Sequence, residues 1–166
     1  MLSTEKVSKP WVCYLICAEK TSHTYIGSSN DAVKRLHNHN TNKGAKRTKG
    51  QTWFHVLVIE GFDCKQSCLS FEAGWKRLHK TRNNSRFDAL YDDSSIELKY
   101  TDHLIWNRLL DLLYFTHNFS FVGTKFILNK KIRCGNKPDQ LIINCHCFGD
   151  FVEDLDWPDF IQIHMK

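Results

Sequence analysis

Two short apolar runs near the start of the chain place the strongest limit on what it can fold into. Trp11–Cys17 reads WVCYLIC and His23–Ser28 reads HTYIGS, and only the polar stretch Ala18–Ser22 separates them. Runs of this length that are rich in aromatic and β-branched residues favour strands, and so short a connection favours an antiparallel turn. The sequence therefore predicts a β-hairpin at the N-terminal end.

A helix, a loop and a third strand are predicted after this hairpin. Asn30 or Asp31 can cap a helix in which apolar residues recur at helical spacing as far as His39. Residues 40–52 are rich in Lys, Gly, Thr and Asn, which predicts a mobile basic loop without a buried face. Trp53–Phe62 reads WFHVLVIEGF, which is typical of a strand.

The order of these elements predicts an α+β fold. Lys65–Leu78 has the periodicity of a second helix, so the order is strand, strand, helix, strand, helix, as in a small mixed α/β layer. We expect a central antiparallel three-stranded sheet flanked by helices over residues 10–82. Residues 83–166 are expected to form a C-terminal extension that packs on this core, with a helix near 102–117. Strands are expected within Gly123–Arg133 and over Gln140–Cys147.

Basic residues are concentrated in one part of the chain. The formal net charge is +5, but residues 31–86 carry twelve Lys or Arg and four Asp or Glu, whereas residues 87–166 carry eight and twelve. A basic block of this density suits a polyanion, because Lys and Arg contacts to phosphates release counterions. On charge alone, a solvated basic face is the alternative interpretation.

Cysteine usage and hydropathy bear on the compartment. The seven cysteines are an odd number, and several lie within apolar patterns, where reduced cysteine behaves as a small hydrophobic residue. No run of about 18 apolar residues is present, and the first nine residues hold no apolar signal core. We expect an intracellular chain with no membrane association, in the nucleus if the host is eukaryotic and otherwise in the cytoplasm.

Polar residues in the first half of the chain form a pattern that resembles the GIY-YIG nuclease superfamily. Its two signatures fall on Val12-Cys13-Tyr14 and Tyr25-Ile26-Gly27, its helix arginine on Arg35 and its metal-binding glutamate on Glu72, with His39 on the same helix as Arg35. Three segments are similar, more narrowly, to the eukaryotic Slx-type structure-selective endonucleases, which cut branched DNA: KRLHNHN (34–40), GAKRTKG (44–50) and FEAGW (71–75).

The resemblance implies hydrolysis of phosphodiester bonds with Mg²⁺, for which Mn²⁺ can substitute. Glu72 is then the metal ligand and holds Mg²⁺ largely through waters, while the charged fork of Arg35 suits a non-bridging phosphate oxygen. One of Tyr14 and Tyr25 deprotonates the nucleophilic water and the other orients the water or the phosphate; the sequence leaves open which. His39 contacts phosphate or shares in proton transfer.

We therefore expect a Mg²⁺-dependent DNA endonuclease that acts on branched or damaged DNA, such as flaps and Holliday junctions, in repair or recombination. Phosphate contacts position a duplex without reading its bases, so recognition of DNA shape is favoured. The alternatives are a catalytically inactive DNA-binding module and a homing or restriction-type nuclease that reads a sequence. The residues expected to contact DNA are Lys34, Lys43, Lys46, Arg47, Lys49, Lys76 and Arg77.

The chain departs from the family pattern at two places. Val12 stands where the first signature begins with glycine; valine favours a strand but prevents the close backbone approach that glycine allows, and it leaves every ionisable group in place. The zinc domain of the Slx-type enzymes has no counterpart, because Cys134, Cys145, His146 and Cys147 do not form two close ligand pairs. No zinc is expected, and the chain is expected to act alone, as a homodimer or with a scaffold subunit.

Overall fold

A three-stranded antiparallel unit forms the N-terminal half, as predicted. The computed structural model describes residues 9–78, 104–118, 120–122, 125–128, 131–132 and 140–166, with only the backbone described over 118–132. Strands β1 (Val12–Ala18) and β2 (Thr24–Ser29) form the predicted hairpin, with Tyr14 opposite Gly27. Strand β3 (Trp53–Glu60) pairs antiparallel with the other side of β1.

Two helices accompany this unit. Helix α1 (Ala32–Asn40) begins after Asp31, whose carboxylate accepts a hydrogen bond of 3.0 Å from the backbone N–H of Lys34, so Asp31 is the N-cap. Helix α2 (Lys65–Leu78) has the predicted bounds. The loop between α1 and β3 contains a 3₁₀ turn over 46–48, in which Thr48 is fully buried. The expectation of a loop without a buried face is therefore wrong at Thr48, whose hydroxyl is hydrogen-bonded inside the protein.

The C-terminal region adds helices and strands in two groups. Helix α3 (Leu104–Asn118) is followed by a small antiparallel sheet of β4 (Ser120–Val122), β5 (Lys125–Leu128) and β6 (Lys131–Ile132). The later elements are β7 (Leu141–Cys145), helix α4 (Gly149–Glu153) and β8 (Ile161–Met165). Within the described ranges, no helix is long and apolar enough to cross a bilayer.

The main sheet has five strands in the order β2-β1-β3-β7-β8, not the three expected for the N-terminal half. Strand β7 pairs antiparallel with β3, and β8 pairs parallel with β7. An uncovered β3 would present unpaired backbone N–H and C=O groups, and pairing with β7 satisfies them. The strand expected within Gly123–Arg133 belongs instead to the small separate sheet.

One continuous core lies on the face of the sheet that α2 and α3 cover. Leu57 of β3, Trp75 of α2, Leu109 of α3 and Ile143 of β7 are all completely buried in this cluster. The indole N–H of Trp75 also donates a 2.9 Å hydrogen bond to the backbone carbonyl of Arg108, which ties α2 to α3. The opposite face carries a smaller buried cluster around Tyr14, and the site described below lies next to it.

Replacing Ile143 tests whether residues 140–166 are integral to the fold. Ile143→Ala leaves a cavity under the centre of the sheet and should lower the free energy of unfolding by about 2–5 kcal/mol, measured by urea denaturation. Met165→Ala on β8 is the control, because Met165 is 46% exposed and should change stability little. Equal, small losses for both variants would contradict a shared core.

Candidate active site

Strand β2 lies at one edge of the main sheet, and side chains from both flanking helices meet there. The ring of Tyr25 on β2 has its centroid 5.2 Å from that of His39 on α1. The ammonium of Lys76 on α2 lies 5.3 Å from the centroid of the same Tyr25 ring. Tyr25 therefore connects the residues of α1 with those of α2.

Tyr14 lies on β1 directly across from Gly27, and its hydroxyl fills the space above that glycine. A Cβ atom built on Gly27 would stand 2.4 Å from the Tyr14 Oη atom and 2.6 Å from its Cζ atom. No side chain fits there while Tyr14 keeps its position. The glycine of the second signature is therefore required by the tyrosine of the first.

A buried hydrogen-bond chain runs from Tyr14 into the basic loop. The Tyr14 hydroxyl lies 2.9 Å from Nε2 of His39, and Nδ1 of His39 lies 2.7 Å from the Thr48 hydroxyl. His39 and Thr48 are both fully buried. Burial, together with the nearby charge of Arg35, lowers the pKa of His39 to about 4. The imidazole is therefore neutral at pH 7.

Arg35 lies beside this hydrogen-bond chain and opposes the effect of burial on the pKa of Tyr14. Burial raises the pKa of Tyr14 well above its usual value, and the guanidinium of Arg35 acts in the opposite direction. At neutral pH the phenol is therefore protonated and able to donate. The Nε atom of Arg35 is itself buried and has no hydrogen-bond partner among the described residues.

Glu72 reaches the same edge from α2. The Ser28 hydroxyl on β2 donates to Oε2 of Glu72, and the Lys76 ammonium lies 2.5 Å from Oε1. The side chain of Glu72 is 15% exposed, so its carboxylate is sheltered but open to the surface. The negative charge of Glu72 contributes to the raised pKa of Tyr14. The five sequence-predicted residues of the site thus converge around β2.

Only some of the basic residues expected to contact DNA share a cleft. Arg47, Lys76 and Arg77 line a cleft of about 610 Å³ together with Tyr25. The remaining four lie on the exposed surface and are not among the residues that line this cleft: Lys34, Lys43, Lys46 and Lys49.

Besides His55, whose ring lies 6.0 Å from that of Tyr14, three residues of the site carry no role in the sequence interpretation. Ser28 and Thr48 hydrogen-bond to Glu72 and His39, respectively. Arg108 on α3 donates a 3.2 Å hydrogen bond from Nε to the Thr24 hydroxyl and lines the same cleft. Thr48 lies within the GAKRTKG segment, so the sequence motif included this residue but assigned it no role. Arg108 gave no signal, because it lies far along the chain in a largely apolar helix.

The C-terminal cysteines and histidine lie at the end of β7 and just after it, and the His146 ring lies 5.4 Å from that of His55, which is itself 6.0 Å from the Tyr14 ring. Cys145 is buried in the core, and burial raises the pKa of its thiol to about 11; burial has the same effect on Cys147. In the part of the chain that the structure describes, no three His, Cys, Asp or Glu side chains are close enough to share a metal ion. Cys134 lies outside the described residues.

Comparison with known proteins places this site in a recognised type of domain. Residues 10–86 match the model of the GIY-YIG catalytic domain. The Uncharacterized protein L300 of Acanthamoeba polyphaga mimivirus is 47% identical over 160 residues, which cover 93% of this chain and 96% of that protein.

Fungal relatives match a smaller share of the chain. The structure-specific endonuclease subunit slx1 of Talaromyces marneffei is 42% identical over 79 residues, or 44% of this chain. The subunit of the same name from Vanderwaltozyma polyspora is 32% identical over 123 residues, or 69% of this chain. The matched segments span only 20% and 39% of the lengths of these two relatives.

A methyl group at position 27 should disturb the site. Gly27→Ala should displace the Tyr14 ring, weaken its hydrogen bond to His39 and cost about 1–3 kcal/mol of stability through overpacking. The measurements are urea denaturation and the NMR shifts of the His39 ring protons. Val33→Ala on α1 is the control, because Val33 is 79% exposed and its truncation should move neither the Tyr14 ring nor the stability appreciably. An unmoved His39 signal in Gly27→Ala would contradict the steric argument.

Proposed function

Because this chain belongs to the GIY-YIG family, we propose that it is a Mg²⁺-dependent endonuclease that hydrolyses phosphodiester bonds in branched or damaged DNA. Relatives that match part of the chain are named structure-specific endonuclease subunits, which favours flaps and Holliday junctions as substrates and repair or recombination as the setting. The observation that carries the proposal is the convergence of a proton acceptor, a fixed cation and a carboxylate on one sheet edge.

Arg35 is suited to bind the phosphate to be cut. A guanidinium is always charged, and a buried N–H without an acceptor is costly. The Nε atom of Arg35 is such a donor among the described residues. A non-bridging oxygen of the scissile phosphate would satisfy it, and Arg35 would then stabilise the charge that develops on the phosphoryl group.

Glu72 is suited to hold the metal ion. Its carboxylate and the neighbouring Ser28 hydroxyl offer the oxygen donors that Mg²⁺ prefers, and Mg²⁺ keeps several waters when one carboxylate binds it. The Lys76 ammonium lies 2.5 Å from Oε1 of Glu72, so this carboxylate already binds one cationic group. When bound, Mg²⁺ would neutralise phosphoryl charge and stabilise the leaving oxygen; Mn²⁺ can replace it.

Tyr14 is the better candidate for proton transfer, because it is the tyrosine hydrogen-bonded to His39. As the water attacks phosphorus, its proton passes to Oη of Tyr14 while the Tyr14 proton passes to Nε2 of His39. The anionic phosphate offsets the Arg35 charge that lowers the pKa of His39, so the imidazolium is stabilised when it forms. Tyr25, packed between His39 and Lys76, orients the water or the phosphate.

The cleft beside Tyr25 is suited to hold the DNA backbone. Arg47, Lys76 and Arg77 line it, and the exposed lysines of α1 and of the basic loop extend the positive surface beyond it. Such contacts read charge and shape, not bases. Since the catalytic set comes from a single chain, we propose that a homodimer or a scaffold subunit affects substrate choice and is not needed to complete the site. The site of action would be the nucleus in a eukaryotic host and otherwise the cytoplasm.

Loss of the metal ligand should abolish cleavage but not binding. Glu72→Gln should lower kcat on a labelled 5′ flap by about 100-fold or more, as removal of a group that stabilises the transition state does. EDTA should have the same effect on the wild-type protein. Glu60→Gln, a half-buried carboxylate change on β3, is the matched control. A wild-type protein that binds flaps and junctions but cuts neither with Mg²⁺ would instead be an inactive binding module.

Arg47 should contribute to DNA affinity without reading the sequence. Arg47→Gln should weaken binding to all duplexes alike and reduce the slope of log K against log salt by about 0.9, the value for one lost phosphate contact. Lys166→Gln is the control, since Lys166 follows β8 at the far edge of the sheet. Fluorescence anisotropy at several salt concentrations measures the affinity and the salt slope of each variant. An unchanged slope for Arg47→Gln would remove Arg47 from the interface.

A further inference from the structure

The Thr48 hydroxyl settles the direction of every hydrogen bond in the buried chain. It lies 2.8 Å from the carbonyl oxygen of Ala45 and 2.7 Å from Nδ1 of His39. A carbonyl oxygen can only accept, so the single hydroxyl hydrogen of Thr48 is donated to Ala45. Toward His39, Thr48 is therefore an acceptor, and Nδ1 of His39 carries the hydrogen.

The same count of hydrogens determines whether the other imidazole nitrogen, Nε2, donates or accepts. A neutral imidazole carries one N–H, so Nε2 of His39 presents a lone pair to the Tyr14 hydroxyl 2.9 Å away. The order of donation runs from Tyr14 to His39, from His39 to Thr48 and from Thr48 to Ala45. Nε2 can therefore accept a proton only because Nδ1 already holds one.

From this geometry we propose that Thr48 is a positioning residue, which holds His39 in the tautomer whose Nε2 atom accepts the proton of Tyr14. The proposal rests on the proposed function for its catalytic meaning, because it specifies how the proton acceptor of the reaction is prepared. Thr48 does not touch the reacting atoms; it acts through His39.

The position of Thr48 is held independently of His39. The indole N–H of Trp53 donates a 2.9 Å hydrogen bond to the Thr48 carbonyl. Asn40, at the end of α1, pairs with the Trp53 backbone twice, at 2.7 and 3.1 Å. The loop also lies against the histidine at Gly44, where a Cβ would stand 2.5 Å from Nδ1 of His39. The surrounding structure therefore brings the hydroxyl to the imidazole.

Without this hydroxyl the other tautomer is favoured. A buried Nδ1–H with no acceptor loses a hydrogen bond that water would have supplied. The proton then moves to Nε2, where it is donated to the Tyr14 oxygen. In that state Nε2 no longer accepts the proton of Tyr14, and the transfer from the attacking water has no outlet through His39.

The test compares Thr48→Val, which keeps the shape and removes the hydroxyl, with Thr48→Ser, which keeps the hydroxyl. NMR of protein with ¹⁵N-labelled histidine distinguishes the two neutral tautomers directly, in metal-free protein without DNA. We expect His39 to carry its proton on Nδ1 in the wild-type and Ser proteins and on Nε2 in the Val protein. Thermal melting establishes that each variant is folded, and Thr48→Ala replaces the Val variant if that one does not fold.

Kinetics on a labelled 5′ flap supply the second readout. Thr48→Val should lower kcat by about 10–100-fold, as loss of a group that orients a histidine does. KM should change little, and Thr48→Ser should retain most of the wild-type kcat. A folded Val variant with the wild-type tautomer, or with the Nε2–H tautomer and an unchanged kcat, would overturn the proposal. If the wild-type protein cuts no DNA, the proposed function fails, whereas the NMR comparison still decides the tautomer assignment.

Discussion

The placement of the Tyr14 hydroxyl over Gly27 is the constraint on which the rest of the site depends. Strand pairing puts these two residues opposite each other, and no Cβ fits between the strands while the phenol lies there. A one-residue slip of the hairpin would turn Tyr14 toward the other face of the sheet. The register of one hairpin therefore determines whether Tyr14 and His39 can meet.

The buried polar residues around Tyr14 show how a site of this kind remains stable inside a protein. An unpaired buried polar group costs about 1–3 kcal/mol, so such residues persist where each finds a partner. His39 and Thr48 are fully buried, and the hydrogen-bond chain from Tyr14 to Ala45 gives both of them partners. Arg35 and His55 differ, since the Nε atom of Arg35 and both ring nitrogens of His55 are buried and have no hydrogen-bond partner among the described residues.

Helix α3 and strands β7 and β8 belong to the sheet and core that carry the site, whereas β4, β5 and β6 form a separate sheet. Strand β7 covers the edge of β3, and α3 packs on α2 through the bond from the Trp75 indole to the Arg108 carbonyl. The mimiviral relative matches this region, since its similarity covers 93% of the chain, whereas the Talaromyces match covers 44%. Arg108 shows that a segment of net negative charge can still place a basic residue in the cleft beside Tyr25. A tally of charge along the sequence therefore gives a poor guide to its surface.

The sequence by itself determined the local elements and predicted five candidate site residues, which the fold brings together around β2. Strand and helix periodicity predicted the hairpin, α1, β3 and α2, because apolar spacing reflects the face that each element buries. The motif around Tyr14, Arg35 and Glu72 predicted the family, because its residue types and their spacing can be read directly from the sequence. Only the tertiary structure decided which loop residue would bond to His39, which strands would cover β3 and which basic residues would share a cleft. These depend on contacts between residues far apart in the chain, and periodicity carries no information about them.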